Sequence, residues 1–179
     1  GGFVSVPIYP TAGAETVRYV LEHSESRAIF IGKLDEPDVQ EPGIPEGIIR
    51  IGMPFPSTMS SHNHWDSLLA HEPMARPPLP EPDRLMTLVY TSGSTGFPMC
   101  VMMAHYNILS ACESIIEYLH NTPDDIILDV LPLSFDYGLY QAFMCFKFGG
   151  TLVLEHSLGY IQPLLKIIED EEITGFPCV

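Results

Sequence analysis

The feature that most constrains this chain is the alternation it keeps from Arg84 onward. Short apolar runs, "LMTLVYT", "MCVMMAH", "DIILDVLPL" and "TLVLE", recur between stretches with helical spacing or polar loops. Ile108, Leu109, Cys112, Ile115, Ile116 and Leu119 mark one apolar helix face. "YGLYQAFMCFKFG" predicts a helix that ends at Gly149, and "IQPLLKIIEDEE" predicts another before a last, buried strand in "ITGFPCV". Strands that alternate with helices satisfy their backbone groups and cover both faces in a parallel sheet. The expected fold class is α/β, with mostly parallel sheets flanked by helices.

Composition divides the chain into three stretches. Residues 1–33 read as a first α/β segment: "FVSVPI" as a buried strand, a helix that places Val17, Val20 and Leu21 together, then "RAIFIG". Residues 34–83 hold ten of the 17 prolines, so this stretch is expected to be mainly surface connection. Within it, "GIIRIG" fits a short strand and "HWDSLLAH" one or two helical turns. Residues 84–179 are the second α/β segment. The start lacks a Met and the end falls on a strand-like run, so a piece of a larger domain is expected.

Charge narrows the function classes. Eight basic against 23 acidic residues give a net charge of -15, which disfavours nucleic acid and anionic membrane surfaces. No apolar run reaches the roughly 18–20 residues of a membrane span, and the start has no basic region typical of a signal peptide. The expected location is cytoplasmic. Cys100, Cys112, Cys145 and Cys178 form no C-x-x-C pair and read as reduced core thiols. His62, His64 and His71 lie close in sequence, but in a proline-rich connector they read as solvated surface rather than a zinc set. The acidic run Glu169–Glu172 reads as a solvated helix end, and no metal site is expected.

The stretch "LVYTSGSTGFPMCV" asks for more than packing. Thr91, Ser92, Gly93, Ser94, Thr95 and Gly96 pack poorly, but they expose hydroxyls and backbone N–H groups that suit an anion. A Ser/Gly-rich hairpin loop is the plain alternative. The Walker A pattern is excluded, because no Lys follows and a strand, not a helix, comes next.

"YTSGSTGFP", Tyr90 to Pro98, strongly resembles the phosphate loop of the adenylate-forming superfamily, the acyl-CoA synthetases, luciferases and peptide-synthetase adenylation domains. Upstream, "GGFVSVPIYP" is similar to that family's Gly-x-x-x-Val-Pro-x-x-Pro segment. Downstream, Ala104-His105-Tyr106-Asn107 resembles its Thr-His-x-Asn, for which only a structural role of His105 is carried over. "LPLSFDYGLYQ" resembles the motif on the acyl-substrate side. The resemblance covers nearly the whole chain and is closest to the fatty-acyl, long-chain acyl-CoA synthetases. It implies part of the large N-terminal domain of such an enzyme.

The resemblance implies a ligase that activates a carboxylic acid, a fatty acid by its closest branch. The carboxylate attacks the α-phosphorus of ATP, bound with Mg2+, to give acyl-adenylate and pyrophosphate. The thiol of coenzyme A, or of an acyl-carrier protein, then displaces AMP. Thr91, Ser92, Gly93, Ser94, Thr95 and Gly96 would hold the departing phosphates by position and electrostatics. Met99 stands where the family has Lys, and Cys100 where it has Gly. A charged hydrogen bond to phosphate is worth roughly 1.5–3 kcal/mol, so its loss is expected to weaken binding about ten- to a hundredfold.

On the acyl side the resemblance implies Phe135, Asp136, Tyr137 and Gly138. A Phe-Asp pair occurs in amino-acid-activating relatives, where the carboxylate meets the substrate ammonium. Three roles stay open for Asp136: capping the helix from Tyr137 to Phe148, amino-group recognition, or another part in the site. The family's catalytic lysine and ribose-binding aspartate map to no residue here, so no catalytic residue is assigned and the 179-residue chain is expected to be inactive alone. Two alternatives to an acyl-CoA synthetase stand: an amino-acid-activating domain that loads a carrier protein, and a degenerate α/β domain without activity.

Overall fold

The computed structural model describes residues 2–32, 34, 36–55, 61, 63–76, 79–91, 98–155, 159 and 161–178. It is an α/β protein of two compact units, Gly1–Pro80 with Met86–Met102, and Glu81–Leu85 with Met103–Val179.

In the first unit, α1 (Ala14–His23) carries Glu15 in its first turn and His23 in its last, which suits the helix dipole at both ends. It buries Val17, Val20 and Leu21, the three residues its spacing placed together. β1 (Ala28–Ile31) pairs in parallel with β2 (Ile49–Gly52), from Ala28 against Ile49 to Ile31 against Gly52. Between them run a short helix, α2 (Pro37–Gln40), and a 3-10 turn at Glu41–Gly43. β3 (Asn63–His64) extends the sheet on the far side of β2, again in parallel, and α3 (Trp65–Leu69) follows. Val17, Leu21, Ile31, Ile44 and Ile48 form the core, with Ile8, Ala12 and Ile29 against it. Burying each such side chain fully contributes about 1.5–3 kcal/mol.

β4 (Leu85–Thr91) and β5 (Met99–Ala104) form a separate two-stranded sheet. The expected strand at "FVSVPI" is corrected here. Among the described residues only Ser5 of this segment pairs, in a parallel bridge to Thr87, and Phe3 is 90% exposed. Pro7 has no N–H to continue a ladder, so the segment stays extended and tied at one point.

In the second unit, α4 (His105–Leu119) leads to β6 (Ile126–Asp129), α5 (Asp136–Phe148), β7 (Thr151–Leu154) and α6 (Ile161–Asp170). β6 and β7 are parallel, from Ile126 against Thr151 to Asp129 against Leu154. Leu128 and Val130 pack with Leu164 and with Ile167 and Ile168 of α6 on one face. Strand alternation turns Ile127 and Asp129 to the other face, where α5 packs against β6 and β7. Gly149 ends α5 in the left-handed region at φ 81, as its sequence position predicts.

Two further expectations are corrected in this unit. "ITGFPCV" is not a buried strand: Gly175 makes a single bridge to Ile127, while Phe176 and Cys178 are exposed. On α4, Ile108 and Cys112 are buried but Leu109 and Leu119 are exposed. Periodicity reports which side chains share a face, not whether anything covers it. The four cysteines are free; Cys112 and Cys145 are core thiols, Cys100 is half-buried and Cys178 is not in a core.

Candidate functional site

Thr91 closes β4 and Met99 opens β5, so the two strands bring both flanks of the Thr/Ser/Gly stretch together. The Thr91 hydroxyl donates to the Met99 carbonyl at 3.5 Å, the long end of a hydrogen bond. Met99 is 62% exposed. Ser92, Gly93, Ser94, Thr95 and Gly96 lie outside the described residues.

Behind Thr91, the side chain of Tyr90 is turned inward, 7% exposed. Its hydroxyl lies 2.8 Å from Nδ1 of His23 at the end of α1. His23 stacks on Tyr19 at 5.3 Å, and both rings meet Tyr90 edge-on, at 5.8 and 6.2 Å. Burial first, then the neighbouring Cys100, pushes the Tyr90 phenol up to about 12, so it keeps its proton at neutral pH. A cavity of about 230 Å³ opens beside it, between Thr16 and Val20 of α1, the Pro7–Ala12 segment, and Thr91 and Pro98. That segment is fixed by Gln40, buried, whose side-chain amide donates to the carbonyls of Pro10 at 2.7 Å and Ala12 at 3.0 Å. Sequence reasoning missed His23, Tyr19 and Gln40, because each partner lies 28 or more residues away or one helical turn along a surface helix.

In the second unit, Phe135 is extended and precedes α5, and Asp136 is the helix's first residue. The Asp136 carboxylate accepts the N–H of Tyr137 at 2.8 Å, one first-turn donor that has no partner within a helix. The helix begins one residue earlier than expected, and Asp136 favours it from inside the first turn. Asp136 and Tyr137 also line a cleft of about 730 Å³, with Tyr118 and Leu119 from α4, Tyr140 from α5 and Phe176. Its walls are aromatic but also polar, with Asn121, Asp125, Gln141 and Thr174 in the lining, and small-molecule clefts combine apolar walls with such polar groups. Gly138 has a packing reason: a Cβ there would stand 2.7 Å from the Pro132 carbonyl oxygen and 2.9 Å from Leu131 Cβ.

His105 opens α4, and its N–H donates to the Arg84 carbonyl at 3.1 Å. Asn107 reaches back to accept the Ala104 N–H at 2.9 Å, so the His-x-Asn stretch caps this helix. Under α5, Asp129 is 1% exposed; one carboxylate oxygen accepts the Leu131 N–H at 3.0 Å and the other has no partner among the described residues. Burial pushes its carboxyl up, and the Leu131 hydrogen bond only partly opposes this. Burial likewise drives Cys145 up to about 11, so this thiol is no nucleophile near neutral pH. His64 and His71 are exposed, and His62 lies outside the described residues. Among the described residues no group of three or more His, Cys, Asp or Glu side chains could hold a metal ion.

The family model of the AMP-binding enzymes matches residues 1–179. The chain belongs to the AMP-binding enzyme family. Long-chain-fatty-acid–CoA ligase 1 of Homo sapiens is 27% identical over 203 aligned residues, covering 98% of this chain and 28% of that protein. Phosphinothricin tripeptide synthetase PhsC of Streptomyces viridochromogenes is 39% identical over 109 residues, covering 59% of this chain and 10% of the synthetase. The chain thus spans less than a third of the length of these curated relatives. Among solved structures, o-succinylbenzoate CoA synthetase of Bacillus subtilis, in complex with its acyl-adenylate intermediate, superposes with a TM-score of 0.75 at 22% identity. It covers 97% of this chain and 42% of that one. This likeness fixes the α/β fold as the one shared by AMP-binding enzymes. No helix among the described residues is long and apolar enough to cross a membrane.

Proposed function

We propose that this chain is the phosphate-side and acyl-side portion of an ATP-dependent carboxylate-activating enzyme of the acyl-CoA synthetase type. The family match over all 179 residues carries the reading. In this reading Thr91, Ser92, Gly93, Ser94, Thr95 and Gly96 receive the β- and γ-phosphates of ATP. Backbone donors and hydroxyls replace the charge that Met99 does not bring. Phe135, Asp136, Tyr137 and Gly138 face the acyl group, and the cleft beside Asp136 and Tyr137 supports this by its size and aromatic walls. The substrate is a fatty acid and the acceptor coenzyme A, with an acyl-carrier protein as the other acceptor chemistry. Magnesium enters with ATP as part of the substrate.

The test is acid-dependent exchange of labelled pyrophosphate into ATP by the complete protein that contains this chain. Exchange with palmitate, absent without acid, is the expected result; no exchange with any carboxylic acid would remove the reading. The 179-residue chain alone is expected to stay at background, because it spans under a third of its relatives' length.

A second reading, activation of an amino acid for a carrier protein, is favoured by Asp136, whose carboxylate borders the cleft. The substitution Asp136→Ala separates the two. Exchange with amino acids that the wild-type protein shows and the variant loses supports the second; exchange with palmitate but with no amino acid, unchanged in the variant, supports the first.

A further inference from the structure

We propose that His23 is a positioning residue for the phosphate loop, acting through the Tyr90 hydroxyl. This rests on the reading of Thr91 onward as the ATP phosphate loop. Four observations converge on it. His23 is the last residue of α1, and its Nδ1 lies 2.8 Å from the Tyr90 hydroxyl, 67 residues away in sequence. Tyr90 is the residue before Thr91, so its ring is the last buried side chain of β4. Tyr19 stacks on His23 and meets Tyr90 edge-on, which fixes the orientation of both rings. The cavity that Tyr90 and Thr91 line leaves room for the strand end to shift if that anchor is lost.

The chemistry asks little of His23 itself. The Tyr90 phenol keeps its proton, so it donates to an imidazole whose Nδ1 is unprotonated or accepts from one that is protonated. The bond ties a helix end to a strand end in either state. Without it, Tyr90 loses that tie to α1 and the strand end at Thr91 gains freedom. Loop donors that must converge on phosphate oxygens lose effect with small displacements. His23 itself is exposed, so its replacement is tolerated by the fold.

The test uses the complete protein, with ATP and palmitate in pyrophosphate exchange. His23→Phe retains a ring against Tyr19 and removes the nitrogen; it is expected to raise KM for ATP about tenfold and to leave KM for palmitate within about twofold. His23→Asn restores a polar atom at the Nδ1 position and is expected to recover most of the loss. Tyr90→Phe should match His23→Phe, and the double substitution should be no worse than either single one. An unchanged KM for ATP, equal changes for both substrates, or additive losses in the double variant would overturn the proposal. So would a His23→Asn protein as impaired as His23→Phe. A wild-type protein without exchange removes the parent reading and this inference with it, whereas an active wild type with an indifferent His23→Phe removes the inference alone.

Discussion

Asp129 shows what a single buried group does to the pH response of this fold. Its carboxyl is enclosed under α5 with one oxygen unpartnered among the described residues, and burial raises its folded pKa above the unfolded value. The folded state therefore holds its proton where the unfolded chain has released it. The stability linked to Asp129 is full below the ordinary carboxylate range and is lost as pH rises through the raised folded pKa. Asp129→Asn removes that dependence: the variant is expected to melt a few degrees above wild type at neutral pH, and the gap should close toward acid. Melting temperatures between about pH 3 and about pH 8 check it, and a gap independent of pH would contradict the burial argument. At Met99 the expectation concerns binding and not stability. The side chain is largely in solvent, so Met99→Lys should leave the melting temperature unchanged and tighten ATP binding by about tenfold, the lower end of a charged hydrogen bond. Titration calorimetry with ATP on the complete protein reads this directly. No gain would favour a degenerate domain over an enzyme.

Between residue and molecule, the helix ends and strand edges decide which elements were legible in the sequence. Gly149 was readable because a helix stop needs a left-handed residue, and glycine reaches φ 81 without strain. No atom lies within 4 Å of a Cβ built there, so Gly149→Ala isolates the conformational term. It should destabilise the protein by about 1–2 kcal/mol in urea unfolding, with an unchanged slope. β4, β5 and the helices other than α2 were legible for the same local reason: apolar spacing repeats within a few residues. Ser5 and Gly175 were not, since each makes one long-range bridge where the sequence suggested a strand. At the candidate site, Thr91, Met99, Phe135 and Asp136 could be proposed from motif order alone. His23 and Gln40 could not, because a histidine at the end of a surface helix and a glutamine in a proline-rich stretch look solvated until the fold supplies their partners.

For the whole molecule, two forces of opposite sign set its behaviour in solution. The net charge of -15 makes copies of the chain repel one another. Against this stand exposed apolar side chains: Phe3, Leu79 and Met102, and in the second unit Phe146, together with Tyr118, Leu119 and Phe176 around the cleft, which Phe146 does not line. Scattered apolar residues are ordinary on a protein surface, but a cleft of about 730 Å³ with aromatic walls offers a concentrated site for association. Charge repulsion reaches about 30 Å at 0.01 M salt and only about 3 Å at 1 M, whereas apolar attraction does not fade with salt. The 179-residue chain is therefore expected to sediment as a monomer at low ionic strength and to self-associate as salt rises. A dye that fluoresces in apolar clefts should bind in the monomer and be displaced on association. Substituting Tyr118→Ser and Phe176→Ser together should move the onset of association to higher salt. Association strongest at low salt would mean that opposite charges, and not apolar surface, drive the contact.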